Sequence, residues 1–297
     1  MILAAPMAPV ALSERIETMD VLRGMALFGI IASNMRAFGS PMAAYFDHSL
    51  MWQGTADRIA QIVIDVFITG KFITLFSFLF GLGFAIMMDR ARERGWTSGA
   101  FYLRRLTALF VLGLCHAFFL WSGDILAPYA VMGFFLFSFR DASQRRILYW
   151  SVFLYVWPLL LNLVVTLLLV CGVPIDMPGP ATPQELQRVI AVYSRGTYAQ
   201  MFAERLQENT FMGFAIIYYY PRLLGLFLFG LWVWRRGLIR DLAARESLWK
   251  QCRRLGLSIG LPLNIAWVAI SEIYRVDPFS GPWLYSSSRS IPSASPP

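Results

Sequence analysis

Charge is scarce in this chain. Asp, Glu, Lys and Arg make up 15% of its 297 residues, against 57% hydrophobic residues and a mean hydropathy of +0.55. An average soluble domain carries far more charge, so the composition reads as a polytopic membrane protein. Cysteine is also sparse. Cys115, Cys171 and Cys252 are odd in number and scattered, which excludes a disulfide framework, and no metal-ligand spacing is present. The sequence has no Gly-x-x-x-x-Gly-Lys phosphate loop, no Gly-x-Ser-x-Gly elbow and no His-Glu-x-x-His pair. ATP hydrolysis and zinc proteolysis therefore have no support. No basic stretch precedes the first apolar run, so an uncleaved first helix is expected in place of a signal peptide.

The formal charge of +8 could suggest a nucleic-acid partner, but its distribution argues against one. Fifteen of the 26 basic residues fall in segments 89–105, 140–146 and 235–254, each beside an apolar run. The positive-inside rule reads such segments as cytoplasmic loops. The charge sets topology, and the bilayer is the expected partner.

The expected fold class is all-α, a transmembrane helical bundle over residues 20–271 with about seven crossings. Residues 1–19 are expected to form a cytoplasmic N-terminal segment, 36–58 and 172–209 outer loops, and 272–297 a polar tail. That tail reads either as disordered or as the translation of a shifted frame. Ile59 to Met88 is apolar apart from Asp65 and Lys71, and Gly70 beside the lysine predicts a half-length piece followed by a spanning helix. Gly81 and Gly83 would let that helix approach a neighbour closely. The basic segment 235–254 reads as a cytoplasmic surface helix, with Leu255 to Ile270 crossing outward. The sixth and seventh helices are expected to lack partners on their apolar sides.

Candidate chemistry centres on His116. The run from Leu106 to Trp121 is long enough to cross a bilayer, and His116 is its only ionisable side chain, about 15 Å past Leu106. That spacing predicts a histidine near mid-membrane, where titratable groups mark pathways or reaction sites. Eleven residues turn through about 1100°, so Arg105 and His116 share one face. Arg23 and Asn34 repeat the spacing on the first helix, where Asp20 can pair with Arg23 one turn away. An imidazole, whose ordinary pKa lies near physiological pH, suits proton abstraction. Asp124, past a Gly123 turn, can cap the next helix or assist His116. His48, beside Asp47, is the second histidine. Lys71 and Arg222, each next to a Gly or Pro at a helix interruption, can snorkel or reach anionic groups.

Four stretches carry a family resemblance: Met19 to Asn34, Gly70 to Gly83, Arg104 to His116, and Gly123 to Ala130, which contains Tyr129. Here the chain resembles the YeiB family of bacterial membrane proteins, a domain-of-unknown-function family, with a weaker match from Pro221 to Gly237. Helix one is also distantly similar to that of transmembrane acyltransferases such as heparan-α-glucosaminide acetyltransferase, through Asp-x-x-Arg-Gly and the asparagine eleven residues after its arginine. With the N-terminus placed in the cytoplasm by the basic segments, the family resemblance implies a multi-pass protein of the bacterial inner membrane. The acyltransferase resemblance further implies a membrane enzyme that carries an acyl group from cytoplasmic acyl-CoA, as co-substrate and not as a bound cofactor, to an outer small-molecule or glycan acceptor. Arg23, Arg105, Lys71 and Arg222 would serve the donor, and Asn34 and Tyr129 the acceptor. His116 or His48 would be the base, with Asp124 as helper. A small-metabolite transporter lined by His116, Lys71 and Arg222 is the alternative reading, and a C-terminally truncated, inactive family member is another. Assembly with a second copy is left open.

Overall fold

The computed structural model describes residues 17–46, 51–95, 99–173, 182–212, 215–239 and 244–274. Among these, every regular element is helical. In chain order they are α1 (Glu17–Phe38), α2 (Met42–Phe46), α3 (Thr55–Phe67), α4 (Lys71–Glu93), α5 (Ala100–Cys115) and α6 (Leu126–Phe137). There follow α7 (Gln144–Val170), α8 (Pro183–Arg195), α9 (Tyr198–Met212), α10 (Ala215–Tyr218), α11 (Tyr220–Arg235), α12 (Glu246–Leu255) and α13 (Leu261–Tyr274). Four stretches are long and apolar enough to cross a membrane: Thr55–Glu93 with its internal break, Ala100–Leu120, Gln144–Val170 and Glu246–Glu272. Helix α6 is a shorter apolar helix.

The centre of the bundle is α11. Leu223, Phe227, Leu228 and Leu231 on it are almost wholly buried, and it packs between α4 and α7 and against α6. Small residues make this possible. A Cβ on Gly81 of α4 would lie 1.8 Å from the Phe227 carbonyl oxygen, and one on Gly230 would lie 2.2 Å from that of Phe78. On the other side Gly225 meets the α7 backbone, where the Ser151 hydroxyl donates to the Gly225 carbonyl at 2.8 Å. In a lipid environment such backbone approach supplies dispersion contacts that apolar side chains alone cannot, since lipid offers them equally. The expectation that the sixth helix lacks partners is therefore corrected: α11 is the most enclosed helix. Gly83 serves differently from its neighbour, because the Arg23 guanidinium lies against it.

The break beside Lys71 is where the sequence places it. Gly70 has φ 78°, a left-handed conformation that glycine adopts without a Cβ penalty, and it separates α3 from α4. The seventh helix differs from expectation. Gly256 stays right-handed, so α12 does not lie apart as a surface helix. It continues through a π-helical turn, Gly256–Gly260, into α13. Among the larger contacts, α13 touches only α3 beyond this continuation, and Leu257, Leu263 and Trp267 remain exposed. Its sparse packing is as expected.

The basic segments converge on one end. Arg92 pairs with Asp141 at 2.9 Å, Arg235 donates to the carbonyls of Arg140 and Ala142, and the Trp234 indole donates to Asp89 at 2.8 Å. Met19 at the start of α1 packs near the same end against Leu82 and Ile86. The Asp20–Arg23 pair forms there at 3.3 Å. At the far end the segment expected as the outer loop 172–209 is largely helical. Thr182 and Glu185 form a reciprocal capping box on α8, and the Thr182 backbone N–H holds the Glu185 carboxyl below the usual carboxylate range. Arg188 of α8 binds buried Glu204 of α9 through both nitrogens, at 2.6 and 3.0 Å.

Candidate functional site

Helix α5 does not end as a regular helix. From His116 to Leu120 its last turn is π-helical, and Trp121 then breaks into extended backbone with φ −157°. Such turns leave carbonyls without regular intrahelical partners and recur at functional sites. His116 stands at the start of this turn, four residues before the helix end. It belongs to the end of the helix opposite the basic segments.

The Trp121–Gly123 turn brings the chain back so that His116 Nδ1 lies 3.0 Å from Asp124 Oδ1. Facing a carboxylate, Nδ1 is the donor of this contact, and in a neutral ring Nε2 is the acceptor. The Asp124 side chain is only 3% exposed, whereas that of His116 is 33% exposed. Burial of a carboxylate is costly unless its oxygens are satisfied. Asp124 meets that requirement by accepting from the backbone N–H groups of Leu126 and Ala127, at 3.1 and 2.8 Å, at the start of α6. The contacts that cap α6 with this carboxylate also aim it at the imidazole. The Trp121 ring stands edge-on to His116 at 6.3 Å and to Phe38 of α1 at 4.8 Å, so α1 closes one side.

Other sequence-predicted residues lie elsewhere. Asn34 sits one turn inside the end of α1, half-buried, with no side-chain hydrogen bond among the described residues. Tyr129 is buried in the bundle, where its hydroxyl meets Ser77 at 2.6 Å and its ring meets Phe80 and Phe227. Arg105 is exposed near the start of α5, its guanidinium 3.9 Å from the Met87 sulfur. Lys71 is engaged at the helix break, donating to the Asp65 carbonyl at 2.6 Å and to Asn264 Oδ1 at 3.1 Å. Arg222 lies over the Tyr155 ring at 5.1 Å. His48 and Asp47 lie outside the described residues. Among those residues no group of three or more His, Cys, Asp or Glu side chains is placed to hold a metal.

Sequence reasoning missed the contribution of α9. Two carbonyls of the π-turn are taken by its side chains: Asn209 Nδ2 donates to Ala117 at 3.1 Å, and the Tyr198 hydroxyl and Arg205 Nη1 donate to Phe119 at 2.8 and 2.9 Å. Beyond the turn, the Ser122 hydroxyl donates to Glu208 at 2.5 Å. A signal existed. Positions 198, 205 and 209 are seven and eleven residues apart, a spacing that places them within about 20° of one helix face.

The chain is similar to the uncharacterised protein YxaH of Bacillus subtilis (strain 168), 37% identical over 216 residues, which cover 68% of this chain and 50% of that protein. The uncharacterised protein YeiB of Escherichia coli (strain K12) is 37% identical over 140 residues, covering 46% of this chain and 34% of YeiB. These likenesses support a YeiB-like family for the chain. A further relative, an uncharacterised 39.9 kDa protein in the amylase 3' region of Bacillus acidopullulyticus, is 38% identical over 139 residues, or 47% of this chain and 38% of that one. The chain thus spans half or less of the length of these relatives. No family model and no solved structure matches it.

Proposed function

We propose that this YeiB-like protein is a multi-pass protein of the bacterial cell membrane, crossing seven times from a cytoplasmic N-terminus, and that it transfers an acyl group from cytoplasmic acyl-CoA to an acceptor on the outer side. The observation that supports this reading most is the His116–Asp124 pair, at 3.0 Å, on the opposite end of the bundle from the basic segments. In the proposed reaction an acceptor hydroxyl or amine gives its proton to His116 Nε2 as it attacks the thioester carbonyl. The carbon–sulfur bond breaks, the CoA thiolate leaves and is protonated, and the acylated acceptor departs. Asp124 stabilises the imidazolium that forms in between. Arg105 lies eleven residues before His116, about 16 Å along the helix axis, and with Arg23 supplies positive charge for the donor's phosphates.

The test is product formation in lipid nanodiscs with labelled acyl-CoA and outer-membrane-facing hydroxyl or amine acceptors. Thioester-dependent acylation is the expected result. Solute flux through proteoliposomes with no CoA requirement would replace this reading with a transporter. Arg105→Gln is expected to weaken acyl-CoA binding by about 1.5–3 kcal/mol, the worth of a charged hydrogen bond, as read by titration calorimetry. Unchanged affinity would remove Arg105 from the donor site.

Orientation has its own measurement. In a variant free of native cysteines, Glu93→Cys and Ser247→Cys should resist an impermeant thiol reagent in intact cells, whereas Gln187→Cys on α8 should react. The reverse pattern would invert the topology.

A further inference from the structure

Between His116 and Asp124 the chain makes its least regular excursion, a π-turn followed by the extended Trp121 and the Gly123 turn. Within that excursion the Trp121 N–H closes the π-turn on the His116 carbonyl at 2.8 Å. Asp124 is fixed from α6 by two backbone N–H groups, and His116 opens the π-turn, whose Ala117 and Phe119 carbonyls are satisfied from outside. The outside partner is one helix face. Asn209 holds Ala117, Tyr198 and Arg205 hold Phe119, and the Phe202 ring meets that of Phe119 at 5.5 Å. Glu208 accepts from Ser122 and also from the Tyr193 hydroxyl of α8, at 2.9 Å, so the excursion is held at both of its ends.

We propose that α9 is the positioning element of the site: Asn209 and Arg205, through the carbonyls of Ala117 and Phe119, hold the π-turn in the register that brings His116 Nδ1 to Asp124. The inference rests on the His116–Asp124 pair being the working pair of the proposed transferase. It adds to that reading that the outer helical hairpin is part of the site although none of its side chains touches the imidazole. Released from these donors, the last turn relaxes toward regular i to i−4 bonding. One residue fewer per turn then rotates His116 on the helix surface by a large fraction of a turn relative to Asp124.

The tautomer of His116 reports this directly. A histidine free in water favours the Nε2-protonated form, whereas one donating to Asp124 holds the proton on Nδ1. Full-length protein with ¹⁵N-labelled histidine, in nanodiscs at a pH where the ring is neutral, should show the Nδ1–H form, assigned by the signal missing from His116→Asn. Arg205→Met and Asn209→Leu should convert most of that signal to the Nε2–H form, and Tyr198→Phe, the mildest change, should convert a smaller part. Arg205→Lys keeps a donor for Phe119 and should keep the wild-type spectrum. So should Thr182→Ala, which removes the α8 cap without touching the π-turn. Wild-type spectra in Arg205→Met and Asn209→Leu would overturn the positioning role while leaving the pair intact. Equal conversion in Arg205→Lys and Thr182→Ala would overturn it in favour of general loosening of the hairpin. An Nε2–H form in the unmodified protein would remove the pair itself, and with it the proposed function.

Discussion

Replacing His116 by asparagine should leave the protein folded, inserted and able to bind an acyl-CoA analogue, while acyl transfer falls by about 10²–10⁴, the usual worth of general base catalysis. Asparagine has a similar size and can still donate an N–H to Asp124 Oδ1, which His116 approaches at 3.0 Å, but it cannot take a proton at pH 7. The effect should therefore lie in the chemical step and not in affinity. The paired measurement is CoA-analogue affinity and transfer rate, made for His116→Asn and His48→Asn side by side. If His48→Asn abolishes transfer and His116→Asn does not, the base belongs to the segment around His48 and the His116–Asp124 pair is structural.

The second large effect concerns stability. Gly81→Leu should cost about 3 kcal/mol or more, because the new side chain meets the backbone of Phe227 on α11, which cannot move without shifting the central helix. Gly24→Leu should cost almost nothing, since a Cβ there meets no atom within 4 Å. Both substitutions place the same leucine in an apolar helix, so the contrast isolates the contact. Thermal unfolding in detergent, followed by size-exclusion profiles, reads it. Equal stability of the two variants would mean that α4 and α11 are not held backbone to backbone.

Much of the bundle was legible because it follows from spacing. One turn separates Asp20 from Arg23, and they pair; Gly70 beside Lys71 marks a break, and the chain breaks there. What the sequence hid was which apolar helix faces protein and which faces lipid. Helices α7 and α11 are both apolar nearly all round, and hydropathy cannot distinguish a lipid-facing leucine from a core leucine when both sit in hydrocarbon. The distinguishing signal was small residues: Gly225 and Gly230 on α11 admit neighbouring backbones, whereas Leu159, Leu163 and Val170 on α7 remain exposed. The candidate site was half legible. His116 and Asp124 stand out as lone ionisable groups at the edges of apolar runs, but their meeting depends on a π-turn, a departure from periodicity that a periodic reading passes over.

The interruption between α3 and α4 bears on water. A helix that stops inside a stretch apolar enough to cross a membrane exposes carbonyl oxygens that hydrocarbon cannot solvate, and such ends ordinarily draw a hydrated cleft toward themselves. Here the ends are met from within the protein. Lys71 covers the Asp65 carbonyl, Asn264 Nδ2 donates to that of Val66 at 3.0 Å, and the Asp65 carboxylate receives Gln61 and Thr69, both at 2.8 Å. The demand for solvent at the break is thereby supplied by side chains, two of them from opposite sides of the α3–α13 contact. The otherwise thinly packed α13 thus helps to close the break, through the Asn264 amide on the Val66 carbonyl.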